Sequence, residues 1–171
     1  MSETQTPETT LQAQGMPVTV HAQYVRDISF ENPHAPDSLR TSNAAPEMNI
    51  QIGMDVRKLE SDESERLYEV VLNVTAEAKR GEDVAFIAEV LYGTTVEVGE
   101  SVPEDKHHPL LLIEIPKLSF PYVRQILSDL TTSGGYPPLL LTPVDFHALY
   151  MQRFAQDTAA LEKLDAEKKA S

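Results

Sequence analysis

The chain of 171 residues has no cysteine. That one absence excludes disulfides, thiolate nucleophiles and cysteine-ligated zinc. Tryptophan is also missing, and the seven glycines form neither a phosphate-cradling G-x-x-x-x-G-K-[ST] or G-x-G-x-x-G loop nor a G-x-S-x-G elbow. Bases are scarce, with 14 Lys and Arg against 27 Asp and Glu, a formal charge of −13. Such a surface repels phosphate, so neither nucleic acid nor an anionic membrane is expected as a partner. The densest apolar stretch, around Leu110 to Ile115, is far too short to cross a bilayer, so no direct membrane insertion is expected. The opening MSETQTPETT has neither a basic n-region nor an apolar h-region, so no secretory signal is expected.

What is present suffices for a core, since 41% of the residues are hydrophobic. The length fits one domain. Residues 1–16 read as a disordered tail, 17–156 as a single domain, and 157–171 as a helix extension or a second disordered tail. The acidity is uneven: residues 61–100 hold ten acids and three bases, a net of −7.

Period-two alternation marks four strands. Val18, Val20, Ala22, Tyr24, Ile28 and Phe30 share one parity, interrupted by Arg26, and Asn32-Pro33 ends the run. Met48, Ile50, Ile52, Met54 and Val56 form a second strand face, and Tyr68, Val70, Leu72, Val74, Ala76 and Ala78 a third. Gly81 sits in a short turn before the fourth strand, which places Val84, Phe86, Ala88, Val90 and Tyr92 inward and Ala85, Ile87, Glu89 and Leu91 outward. The period then becomes helical over Leu118 to Leu130, ending at Gly134-Gly135, with Pro116 and Pro121 implying two pieces or one kinked helix. Thr142-Pro143-Val144-Asp145 reads as the start of a second helix, striped by Phe146, Leu149, Tyr150, Phe154 and Leu161. The sum is an α+β fold, a four-stranded antiparallel sheet with two C-terminal helices on one face. The first helix is apolar over more than one stripe, which predicts a second buried contact with another copy through Val123, Ile126, Leu127 and Leu130.

Catalytic chemistry is hard to find. The five histidines lack H-x-x-x-H spacing, so no metal or other cofactor is expected, and the acidic pairs Asp62/Glu63 and Glu82/Asp83 sit in loops beside no nucleophile. The outer sheet face does stand out. It combines Asp27, Glu31 and Glu89 with Ile87 and Leu91, a pattern suited to steering a basic partner and then burying aliphatic surface.

Several segments, in order along the chain, resemble the SecB family of protein-export chaperones. They are Tyr24-Val-Arg-Asp-Ile-Ser-Phe-Glu-Asn-Pro33, Leu67-Tyr-Glu-Val-Val-Leu-Asn-Val-Thr75, Ala85-Phe-Ile-Ala-Glu-Val90, Phe120-Pro-Tyr-Val-Arg124 and Gly135-Tyr-Pro-Pro-Leu-Leu-Leu-Thr-Pro-Val-Asp-Phe146. The resemblance implies a SecB-like fold and a cytoplasmic, ATP-independent holdase, not an enzyme. It implies that unfolded precursors are kept translocation-competent and passed to the SecA motor, by a homotetramer built as a dimer of dimers. It carries SecA contacts onto Asp27, Glu31, Ile87 and Glu89. It carries the client groove onto Tyr136, Leu139, Leu140, Leu141 and Phe146, with Phe86 and Tyr122 nearby. The rival reading is a small-molecule site or enzyme with an enclosed pocket between sheet and helices.

Overall fold

The structure, a computed structural model, describes residues 15–40 and 45–154. Of the predicted tails 1–16 and 157–171, residues 1–14 and all of 157–171, with Leu161, lie outside the described residues. Four long strands form the sheet: β1 (Val18–Glu31), β2 (Glu47–Lys58), β3 (Leu67–Arg80) and β4 (Asp83–Val98). All pairings are antiparallel, in the order β1-β4-β3-β2. β3 and β4 form the central hairpin, and Gly81 takes a φ of 62° in its turn, a conformation that costs a glycine nothing. A short helix, α1 (Asp37–Arg40), follows β1.

The long helix α2 (His107–Ser133) lies over β4, β3 and β2. It starts eleven residues before the predicted Leu118 and runs unbroken through Pro116 and Pro121. Each proline removes a helix hydrogen bond. That loss is offset because the helix is held by packing: Leu111, Leu112, Ile115, Phe120, Val123 and Leu127 are buried on both sides of the prolines. Beneath them lie Val70, Leu72, Val74, Ala76 and Ala78 of β3 and Ala88, Val90, Thr94, Val96 and Val98 of β4, all essentially inaccessible. β4 thus continues its inward parity past the predicted Tyr92 to Val98. The last described helix, α3 (146–154), begins four residues after Thr142, the start predicted. Its cap is Asp145, whose Oδ1 accepts the Ala148 N–H at 2.9 Å.

β1 departs from the alternation read in the sequence. Its register with β4 shifts between Val20 and Ala22 and again between Val25 and Asp27, two β-bulges that each insert one residue. One extra residue exchanges the two faces. Val18 and Val20 pair with the inward Val98 and Val96, but Ala22 and Tyr24 pair with Thr95 and Gly93, whose parity is outward. The second bulge, at Arg26, restores Ile28 and Phe30 to the inner side. Tyr24 therefore lies on the outer face, over Gly93, where an added Cβ would sit 2.5 Å from the tyrosine Cε2. Gly93→Ala is expected to cost about 1–3 kcal/mol in urea unfolding, as overpacking does. Adding Tyr24→Ala should recover part of that loss, and strictly additive single effects would refute the contact.

Candidate functional site

The strand register places the outer-face residues in rows that cross the sheet. Glu31 pairs with Ile87, which pairs with Glu77; Ser29 pairs with Glu89, which pairs with Thr75; Asp27 pairs with Leu91, which pairs with Asn73. The predicted set Asp27, Glu31, Ile87 and Glu89 is thus brought together on two adjacent strands. Asp27 and Glu31 are exposed, and Ile87, Glu89 and Leu91 are half-buried. None of Asp27, Glu31 and Glu89 forms an ion pair with a described residue. Glu77, which the sequence reading passed over, flanks Ile87 from the β3 side and pairs with Lys79 at 3.2 Å.

The groove candidates separate by burial. Leu140 is 73% exposed and Leu139 half-buried, so the helix-connecting loop does present hydrocarbon. Phe146 and Phe86 are buried, and Tyr136 and Leu141 nearly so. These four present little surface to a client. Phe146 packs edge-on against Phe120 with ring centres 5.7 Å apart, and Phe86 lies between Phe30 at 5.7 Å and Tyr136 at 4.7 Å. The Tyr136 hydroxyl donates to the Ala85 carbonyl at 2.9 Å and so ties the loop to the hairpin. They form the floor beneath the loop rather than its lining.

The predicted contact between copies is corrected in the same way. Val123 and Leu127 have no accessible surface and serve the chain's own core, because they face β4 and β3. Ile126 and Leu130 are half-buried on another side, and the exposed large hydrophobic residues of α2 are Leu118 and Tyr122. Tyr122, half exposed, stacks on Tyr92 with parallel rings 5.9 Å apart. Tyr92 in turn pairs with Val25 of β1. Since α2 covers β2 to β4, the inner face of β1 stays open: Val20 is 39%, Val25 45% and Ile28 44% exposed. These residues continue the Tyr122 patch.

The partners of three polar groups were not legible in the sequence because they lie far along the chain. His107 is buried at the start of α2, within 3.0 Å of the Tyr68 hydroxyl and 3.1 Å of the Val102 carbonyl. His108 lies 3.0 Å from the Tyr150 hydroxyl and edge-on to Phe154, and burial lowers its pKa. Glu69 is buried on the outer face, and its carboxyl is held below the usual range, first by the hydrogen bond from Tyr24.

Open clefts occur at the loop ends of the sheet. One of about 340 Å³ is lined by Glu63, Arg66, Glu97 and Glu100 among others, and two of about 500 and 460 Å³ share Leu59, Ser61 and Ser64 beside it. Another of about 230 Å³ is lined by His34, Arg80 and Asp83 among others. None of these four lies between the sheet and α2, where the rival enclosed pocket was expected. Among the described residues no helix is long and apolar enough to cross a membrane. A charged and aliphatic sheet face backed by open hydrocarbon on the other side defines a protein that works through extended surfaces.

Comparison with known proteins supplies the family. Residues 11–157 match the model of SecB, described as a preprotein translocase subunit, and the chain belongs to the SecB family. The protein-export protein SecB of Caulobacter sp. (strain K31) is 45% identical over 139 residues, 81% of this chain and 82% of the relative. That of Maricaulis maris (strain MCS10) is 44% identical over 155 residues, 91% and 87%. In fold the chain is similar to a SecB-like chaperone of Mycobacterium tuberculosis, solved in complex with a ChAD peptide from the HigA1 antitoxin. The TM-score is 0.61 at 12% identity, covering 75% of this chain and 91% of that one. The chain is thus a cytoplasmic protein-export chaperone that delivers precursors to the translocase, not an enzyme.

The His108 contact predicts a pH-dependent docking of α3. Because burial lowers the folded-state pKa below the ordinary value near ~6.5, the unfolded or undocked chain takes up the proton first. Docking is therefore strongest above that pH and weakens as pH falls through it. Hydrogen exchange of residues 146–154 should accelerate between about pH 7.5 and 5.5 relative to the sheet, once corrected for intrinsic rates. His108→Gln should remove the difference, and an unchanged pH response in that variant would discard the assignment.

Proposed function

We propose that this chain is an ATP-independent holdase that assembles as a tetramer and docks on the SecA motor through the outer face of its sheet. The observation that carries the reading is the segregation of two surfaces. Unpaired carboxylates and aliphatic side chains lie on one side of the sheet, and uncovered hydrocarbon lies on the other.

On the outer side, Asp27, Glu31 and Glu89 attract a basic segment of the motor, and Ile87 with Leu91 supplies apolar contact between them. The charges set the encounter rate and the register, while the aliphatic pair lengthens the complex's lifetime. On the helix side, Leu139 and Leu140 offer an unfolded precursor a place to bury apolar side chains, at about 25 cal/mol per Å² before ordering costs are subtracted. Each such site is weak. Several copies in one assembly bind one long chain with avidity. Self-association runs through Val20, Val25, Ile28, Leu118 and Tyr122, with Ile126 and Leu130 at the edge of the patch. Dimers first, then a dimer of dimers, would cover both the strand and the helix parts of it.

Purified protein should suppress aggregation of a chemically denatured client at equimolar tetramer without nucleotide; no suppression would end the holdase reading. Asp27→Lys or Glu89→Lys should weaken binding to SecA at least about tenfold, and the wild-type contact should weaken with salt. Client binding should be largely retained in both variants. Equal loss of the two activities would show that the outer face is not a separate site. Tyr122→Lys should lower the mass in solution, and an unchanged tetramer would exclude α2 from the contact.

A further inference from the structure

Glu69 is a carboxylate on the wet face of the sheet, yet it is only 3% exposed. It stands on β3, opposite Arg57 of β2 and Thr95 of β4. Its oxygens accept hydrogen bonds from the Tyr24 hydroxyl and from Arg57 Nε, and Arg26 Nη1 lies 3.4 Å away. Two of these three donors belong to β1, which is not the strand next to β3. They reach it across β4 at Gly93, where the missing side chain leaves room for the tyrosine ring. Glu69 therefore acts on a strand two places away.

The part of β1 that it holds is the bulged part. Downstream, Phe30 is fixed by stacking on Phe86 and by close packing against Gly134. Upstream, Tyr24 is fixed on Glu69. From Tyr24 to Phe30 the chain takes six steps, whereas its partners from Gly93 to Ala88 take five. The two anchors leave one residue over, and that residue is Arg26. Its own guanidinium reaches the same carboxylate. Were the upstream anchor lost, β1 could drop the bulge. Residues 22–25 would then exchange faces, bringing Arg26 opposite Tyr92 and turning Val25 outward.

We propose that Glu69 is a positioning residue for assembly: by clamping Tyr24 and Arg26 on the outer face, it keeps Val25 beside Tyr92 and Tyr122 in the apolar contact surface on the opposite face. The proposal rests on the self-association reading above. Its consequence is that a carboxylate outside the contact controls whether the contact surface is apolar or carries an arginine.

The cysteine-free chain permits a direct test. Ala22→Cys with Thr95→Cys places two thiols across the strands upstream of the bulge, and Ser29→Cys with Glu89→Cys does so downstream. With a short bifunctional thiol cross-linker, Glu69→Ala should slow the upstream cross-link several-fold and leave the downstream one unchanged. In the chain without added cysteines, the same substitution should weaken self-association at least about tenfold by sedimentation. Tyr24→Phe, which keeps the ring and deletes the donor, should act in the same direction. Equal slowing of both cross-links would assign Glu69 a general stabilising role and overturn the proposal, as would unchanged cross-linking. A wild-type chain that is monomeric throughout would overturn the link to assembly. That failure is distinguishable, because the upstream cross-link would still report whether Glu69 holds the bulge.

Discussion

The burial of α2 on the inner faces of β3 and β4 is the interaction on which the rest of the molecule depends. A strand turns alternate side chains to opposite faces, so covering one face commits the other to solvent. The residues that α2 covers, from Val70 to Ala78 and from Ala88 to Val98, leave Ile87, Glu89 and Leu91 facing outward as a consequence. A helix of 27 residues spans about 40 Å, which explains how one element roofs three long strands. It does not reach the fourth. The open inner face of β1 and the uncovered side of α2 are two parts of the same shortfall, which the proposed self-association would cover.

Charge is used in two different ways on the outer face. Glu69 is withdrawn from water and saturated with donors, so its charge is spent on holding β1, β3 and β2 in relation to one another. Asp27, Glu31 and Glu89 form no ion pair with a described residue, and under the proposed reading their field serves an incoming group. The total of −13 describes neither role. It suits a protein that must remain soluble while it presents hydrocarbon to unfolded chains, because net charge opposes self-aggregation.

Much of the sheet was legible from the alternation of β2, β3 and β4, since each buries one face against a single roof. The outward parity of Ile87 and Glu89 was legible for the same reason: both lie on a regular strand. Asp27 and Glu31 were placed correctly only because the second bulge undid the first. Ala22 and Tyr24, lying between the bulges, were assigned to the wrong face. On α2 the two-sided apolar pattern was visible, but which side met the sheet was not, so Val123 and Leu127 were read as contacts between copies when they are core. The aromatic floor of Phe86, Tyr136 and Phe146 was likewise taken for surface, because a sequence records that a residue is apolar and not what covers it.

The sequence by itself determined the strand count, the inward parity of three strands, the tight turn at Gly81 and the excess hydrocarbon on the long helix. These follow from local sterics and from the period of side chains along one segment. Only the tertiary structure decided the parity of β1 between its bulges, the side of α2 that is buried and the burial of Glu69. Each depends on pairing between segments dozens of residues apart. Tyr24 reaches Glu69 over Gly93 because three strands lie side by side, and no window along the chain contains all three.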